Sequence, residues 1–203
     1  MKRICVFCGS TKGVRPGYAS AAESLGRLLA ERKIELVYGG GCVGLMGILA
    51  NAALRQGGHV IGVIPKALQI KEVVHEHLPD LRVVKNMHER KALLAELADG
   101  FIALPGGFGT YEEFCEILTW SQLGLHRKPF GLLDVDGFYR SLLEFFDHAT
   151  AEGFIRPIHR QLVLEERDPA KLLARLEAWQ PPAEIKWRPA RLPSKEGGTA
   201  ALG

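Results

Sequence analysis

No run of apolar residues in this 203-residue chain approaches the roughly 20 that a membrane-spanning helix needs. An excess of one charge is missing too. The chain has 26 Lys and Arg against 23 Asp and Glu, a formal net charge of +3, and no basic stripe. That balance does not point to a nucleic-acid partner. Cysteine is sparse: Cys5, Cys8, Cys42 and Cys115 fall in or beside apolar segments, as reduced cytosolic thiols do, and form no disulfide framework. Cys5 and Cys8 have C-x-x-C spacing, but on a strand positions i and i+3 face opposite sides, so neither a redox pair nor a zinc site is expected. His75 and His77 have no second pair at metal-ligand spacing. The N-terminus runs into an apolar strand without a signal-peptide pattern. A cytoplasmic protein is expected, with no metal, no membrane and no nucleic acid.

What remains is ordinary globular material, 47% hydrophobic and 24% charged, at a length that suits one domain. Apolar strands alternate with amphipathic helices. Strands are expected at Arg3–Phe7, Ile34–Tyr38, His59–Ile64, Leu81–Val84, Phe101–Leu104, Phe130–Asp134 and Leu162–Leu164. Helices are expected from Pro16 to Arg32, from the triple glycine to about Gln56, and over Asn86–Ala98, Thr110–Leu123, Phe138–Ala151 and Pro169–Trp179. The alternation implies an α/β fold, a Rossmann-like doubly wound parallel sheet with helices on both faces. Residues 1–180 read as a single domain. Residues 181–203, rich in proline and without periodicity, read as a flexible tail. Ile117, Leu118 and Trp120 fit core or subunit interface better than a stacking platform.

Two glycine-rich turns stand between a strand and a helix: Gly39-Gly40-Gly41-Cys42-Val43-Gly44-Leu45-Met46-Gly47 and Pro105-Gly106-Gly107-Phe108-Gly109-Thr110. A helix N-terminus carries unpaired N–H groups and a positive dipole, so such turns suit an anion, phosphate above all. Gly39, Gly41 and Gly44 fit G-x-G-x-x-G, but the strand that follows ends in Pro65-Lys66 without the acid that would hold a ribose hydroxyl. No Gly-Lys-Ser/Thr closes a Walker A loop. The turns suggest a phosphorylated small molecule outside both common classes. In a doubly wound fold both would lie at the carboxyl edge of the sheet, where ligands bind.

Thr110-Tyr111-Glu112-Glu113 has the form of a capping box, with Thr110 as N-cap and Glu113 reaching back. Glu113 can equally face the strand-end cleft, and Glu112 is a rival with the same support from the helix terminus. In Asn86-Met87-His88-Glu89-Arg90-Lys91, Asn86 can cap a helix, which puts Arg90 and Lys91 near its positive end. They are either a solvated pair balanced by Glu89 or the complement of an anionic ligand.

Met87-His88-Glu89-Arg90-Lys91 and Pro105-Gly106-Gly107-Phe108-Gly109-Thr110-Tyr111-Glu112-Glu113, together with Gly39–Gly47, closely resemble the Lonely Guy (LOG) family of nucleoside 5′-monophosphate phosphoribohydrolases. These cytokinin-activating enzymes were long mislabelled as lysine decarboxylases. The similarity runs from Cys8-Gly9-Ser10 and Pro16-Gly17-Tyr18 to Trp120-Ser121-Gln122-Leu123-Gly124 and Lys128-Pro129. It implies a Rossmann-like fold, a homodimer, no metal or redox cofactor, and cleavage of a nucleotide to free base and ribose 5-phosphate.

By the same resemblance the catalytic arginine and glutamate fall on Arg90 and Glu113. Glu72, Lys91, Gly107, Phe108, Gly109, Thr110, Tyr111, Glu112 and Thr119 match the substrate site. The expected phosphate-binding set also includes Ser10, Gly40, Gly41 and Gly44 of the strand-end turns. The substrate implied is a cytokinin or adenosine nucleoside 5′-monophosphate. The alternatives are a non-catalytic nucleotide or cofactor carrier on the same fold, and the old decarboxylase label. The latter needs a Schiff-base lysine, and none stands out here.

Overall fold

The computed structural model describes residues 1–69, 74–75 and 78–182. Glu72 and the part of the expected tail from residue 183 onward lie outside the described residues. Seven strands, β1 (Arg3–Phe7), β2 (Glu35–Tyr38), β3 (Val60–Pro65), β4 (Asp80–Val84), β5 (Gly100–Ala103), β6 (Phe130–Leu133) and β7 (Val163–Glu166), form one sheet in the order β4-β3-β2-β1-β5-β6-β7. Every pairing is parallel. Among the described residues seven α-helices accompany them: α1 (Pro16–Glu31), α2 (Gly44–Arg55), α3 (Met87–Leu97), α4 (Phe108–Gln122), α5 (Arg140–Ala151), α6 (Pro157–Arg160) and α7 (Pro169–Ala178).

Side chains alternate across a strand, and the strands sort their residues accordingly. Ile4, Val6 and Cys8 pack with α1, α2 and α7 on one face. Cys5 and Phe7 pack with α3, α4 and α5 on the other. Cys5 and Cys8 thus point into opposite layers, as the C-x-x-C spacing on a strand requires.

Strand order reverses between β1 and β5, so the loops after them part and leave a crevice at the centre of the sheet's carboxyl edge. Two anchors steady the segments that reach it. The Tyr139 hydroxyl donates to the Leu104 carbonyl at 2.6 Å, and the buried Asp134 carboxylate accepts the Tyr139 N–H at 2.7 Å, fixing the end of β5. The Lys128 ammonium donates to the Ala95 carbonyl at 2.6 Å, near the C-terminus of α3, where a cation complements the helix dipole.

Two boundaries depart from expectation for local reasons. The helix expected from Phe138 begins at Arg140, after a tight turn at Val135–Gly137 in which Asp136 has φ 54° and Gly137 φ 74°. The helix expected from Thr110 begins two residues earlier, at Phe108, with Gly107 as its N-cap.

Candidate active site

That earlier start disposes of the capping box. Thr110 occupies the third helical position, and no side chain caps α4. The N–H groups of its first turn have no intrahelical acceptor. A Cβ built on Gly107 or Gly109 would meet nothing within 4 Å, so both amides stand open to an approaching group.

The first glycine turn is differently employed. The Leu45 N–H, in the first turn of α2, donates to the Gly9 carbonyl at 3.0 Å, and the Gly40 carbonyl accepts from the His75 N–H at 3.0 Å. Gly44 has φ +58°, and a Cβ there would collide with the Ser10–Thr11 backbone. Its glycine character is explained by turn geometry and loop packing. Gly39 does something else: a Cβ on it would run into the guanidinium of Arg90. The turn leaves room for that side chain over the end of β2.

Arg90 projects from the second turn of α3 across the sheet's carboxyl edge. Its Nε donates to the Val63 carbonyl near the end of β3 at 3.1 Å, and its Nη1 meets Glu113 Oε1 at 3.0 Å. Both side chains of the pair are only 12% exposed. Glu113 is therefore an ion-pair partner, not a cap, and Glu112 is separated from it in role. Glu112 and Glu116, one turn apart on α4, both pair with Lys91, the latter at 3.1 Å. The sequence reading missed Glu116 and the Val63 carbonyl. The i,i+4 spacing of Glu112 and Glu116 was the available signal for the first; a backbone acceptor leaves none.

The electrostatics follow from burial. Desolvation pushes the Glu113 carboxyl above its ordinary value of 4.5, and the neighbouring Arg90 only partly offsets it. Lys91 is pushed above 10.5, chiefly by its hydrogen bond to Glu112. A Schiff-base lysine needs the opposite shift, so Lys91 is ill suited to that chemistry.

The other expected residues are spread along α4. Phe108 is almost wholly exposed at its start, Thr110 is buried, and Tyr111 packs edge-on against Phe114 at 5.9 Å. Thr119 lies two turns beyond Glu113, donates to the Cys115 carbonyl at 2.7 Å, and lines a separate apolar cavity of about 220 Å³ with Cys115, Leu118 and Gln122. Ser10 is exposed beside Gly44. Within this one chain, Arg90, Lys91, Glu112 and Glu113 are brought together, whereas Thr119 is not in contact with them. Among the described residues no cluster of three or more His, Cys, Asp or Glu is placed to hold a metal ion, and no helix is long and apolar enough to cross a membrane.

Fold and site together define a class: a Rossmann-like α/β protein whose strand-end cleft sets a buried Arg–Glu pair beside an open helix N-terminus. A family model described as "Possible lysine decarboxylase" matches residues 46–176. Cytokinin riboside 5′-monophosphate phosphoribohydrolase LOG7 of Arabidopsis thaliana is 53% identical over 180 residues, covering 89% of this chain and 83% of that protein. Cytokinin riboside 5′-monophosphate phosphoribohydrolase LOG of Oryza sativa subsp. japonica is 52% identical over 184 residues, covering 91% and 76%. The chain belongs to the LOG family of phosphoribohydrolases. Among solved structures, the molybdenum cofactor binding protein of Rippkaea orientalis has a similar fold, with a TM-score of 0.67 at 22% identity over 88% of this chain and 97% of that one.

Proposed function

We propose that this protein hydrolyses the N-glycosidic bond of cytokinin riboside 5′-monophosphates, giving the free base and ribose 5-phosphate. The observation that carries the mechanism is the buried Arg90–Glu113 pair, one helical turn from the open N-terminus of α4. As the base departs, positive charge develops on the sugar ring and a carboxylate beside C1′ stabilises it. Glu113 is held for that role by Arg90, which opposes its protonation. The bond to the base nitrogen breaks with its electron pair going to the base, which takes up a proton from solvent, while water adds to C1′ and passes its proton to Glu113 or solvent. Amides of Gly107, Gly109 and Thr110 bind the 5′-phosphate and align the bond to be broken.

The direct test incubates the purified protein with isopentenyladenosine 5′-monophosphate and with its riboside, and follows free base by chromatography. Rapid release from the monophosphate and far slower release from the riboside is the expected result. Equal release from both would sink the phosphate-anchored mechanism, and no release from either would sink the activity.

A homodimer is part of the proposal. Phe108, Tyr111, Cys115, Leu118, Thr119 and Gln122 form one stripe along α4, and the apolar cavity beside its latter half is walled by Phe146 and Ile155. Phe154, next in the chain to Ile155, stands 87% exposed. A second copy packed there would cover this surface and explain why Thr119 is apart from Glu113 within one chain. Light scattering should give twice the chain mass; a monomer at micromolar concentration would refute the arrangement. None of the four cysteines is in a disulfide, which supports a cytoplasmic setting.

A further inference from the structure

The crevice between β1 and β5 contains a cationic group that the reading above leaves unused. A cavity of about 210 Å³ opens there, walled by Gly9, Thr11 and Lys12 of the β1–α1 loop, by Leu45, and by Gly106 and Gly107 ahead of α4. Lys12 is the one charged side chain among the residues that line it. Among the described residues it forms no salt bridge and no hydrogen bond. The nearest other cation in that loop, Arg15, is engaged: its guanidinium donates to the Asp136 carbonyl at 3.2 Å.

A second, independent feature marks the same wall. Thr110 is only 4% exposed, and its hydroxyl has no hydrogen-bond partner among the described residues. It lies against Gly106, filling the space a side chain on that residue would take. The hydroxyl itself keeps some access to the surface, so it is free to donate. An anion seated at the α4 terminus would accept from it.

We infer that Lys12 is a binding residue for the 5′-phosphate, closing over the anion from the β1–α1 loop while the α4 amides and the Thr110 hydroxyl hold it from the opposite wall. Lys12 and Gly107 line one cavity at the strand-order reversal, and the Thr110 hydroxyl lies against Gly106 of its wall. Each lacks a protein partner, and each suits the same tetrahedral anion. Lys12 supplies the full positive charge that the amides do not. The carboxylate of Asp136 lies beside Gly17 and does not line the cavity. Recognition through Lys12 has a specific consequence. It separates nucleoside 5′-monophosphates from nucleosides by binding, whereas Glu113 acts on the sugar that both share.

This assignment rests on the phosphoribohydrolase reading for its ligand, so the test uses a binding measurement as well as turnover. Titrate ribose 5-phosphate, and separately inorganic phosphate, into the native protein and into Lys12→Met and Lys12→Arg by calorimetry. Lys12→Met should weaken ribose 5-phosphate binding by about tenfold or more, the loss expected for one charge-assisted hydrogen bond. Lys12→Arg should restore most of it, and the Lys12→Met defect should shrink as ionic strength rises. In turnover, Lys12→Met should raise KM for the monophosphate more than it lowers kcat. Unaltered affinity for ribose 5-phosphate in Lys12→Met would overturn the assignment even if the native enzyme releases base normally. A native protein that binds ribose 5-phosphate through Lys12 but releases no base would instead overturn the activity.

Discussion

Glu113→Gln yields a folded protein that releases base from a nucleoside 5′-monophosphate at least about a hundredfold more slowly than the native enzyme. The substitution keeps the shape of the side chain and an oxygen that still accepts from Arg90, so it costs less stability than truncation, although the Arg90 charge loses its counter-ion. What it removes is negative charge where the sugar becomes cationic. The pH profile separates this from a structural effect. Because burial raises the Glu113 carboxyl above 4.5, native kcat/KM falls as pH drops through that raised value, and the acid limb lies above the ordinary carboxylate range. The residual activity of Glu113→Gln lacks that limb. Stability runs the other way. A carboxyl whose folded pKa is raised binds its proton more tightly when folded, so its ionised form costs stability at neutral pH and the cost fades as pH falls through the folded pKa. A Glu113→Gln enzyme with near-native turnover would return the residue to a packing role.

Arg90→Ala is expected to lose activity to a comparable degree and to lose more stability than Glu113→Gln, which keeps an acceptor in place. Removing one member of a buried ion pair leaves an uncompensated charge, which costs about 3–5 kcal/mol in a closed interior. Here each partner retains 12% exposure, so the lower end of that range applies. The Val63 carbonyl also loses its donor. Adding Glu113→Gln to Arg90→Ala should therefore recover much of the melting temperature without recovering turnover, a coupling that chemical denaturation of the four proteins measures. If Arg90→Ala melts like the native protein and still turns over, the pair is neither a structural nor a catalytic unit.

The sheet was legible because its strands carry apolar residues on both faces and its helices repeat every three to four residues. Each of the seven expected strands is present to within about two residues, a margin normal for such boundaries. Asn86 caps α3 as its position suggested, accepting from the Glu89 N–H at 2.9 Å, although the Glu89 carboxylate reaches the Lys85 N–H and not that of Asn86. The error at Thr110 has a simple cause. Ser/Thr-x-x-Glu reads as a cap only if the helix begins there, and a glycine at the N-cap position starts the helix without any side-chain signal. The two readings of Arg90 and Lys91 could not be separated within α3, because their partners lie on α4, more than 20 residues away. The four-residue α6 was not anticipated, being shorter than a helical period can reveal.

One feature of α4 sets more than orientation. The amide of Gly107 and the carboxylate of Glu113 belong to the same rigid rod, six residues apart, about 9 Å along its axis. The rod acts as a ruler. With the anion seated at its tip, the carboxylate would meet the ring carbon that bears the base when a single phosphate sits on the 5′-carbon of the same sugar. A phosphate on the 3′-carbon, or a chain of two or three at the 5′-carbon, places the wrong atom against Glu113 however tightly it binds. Selectivity among nucleotides is then a matter of length, written into one helix.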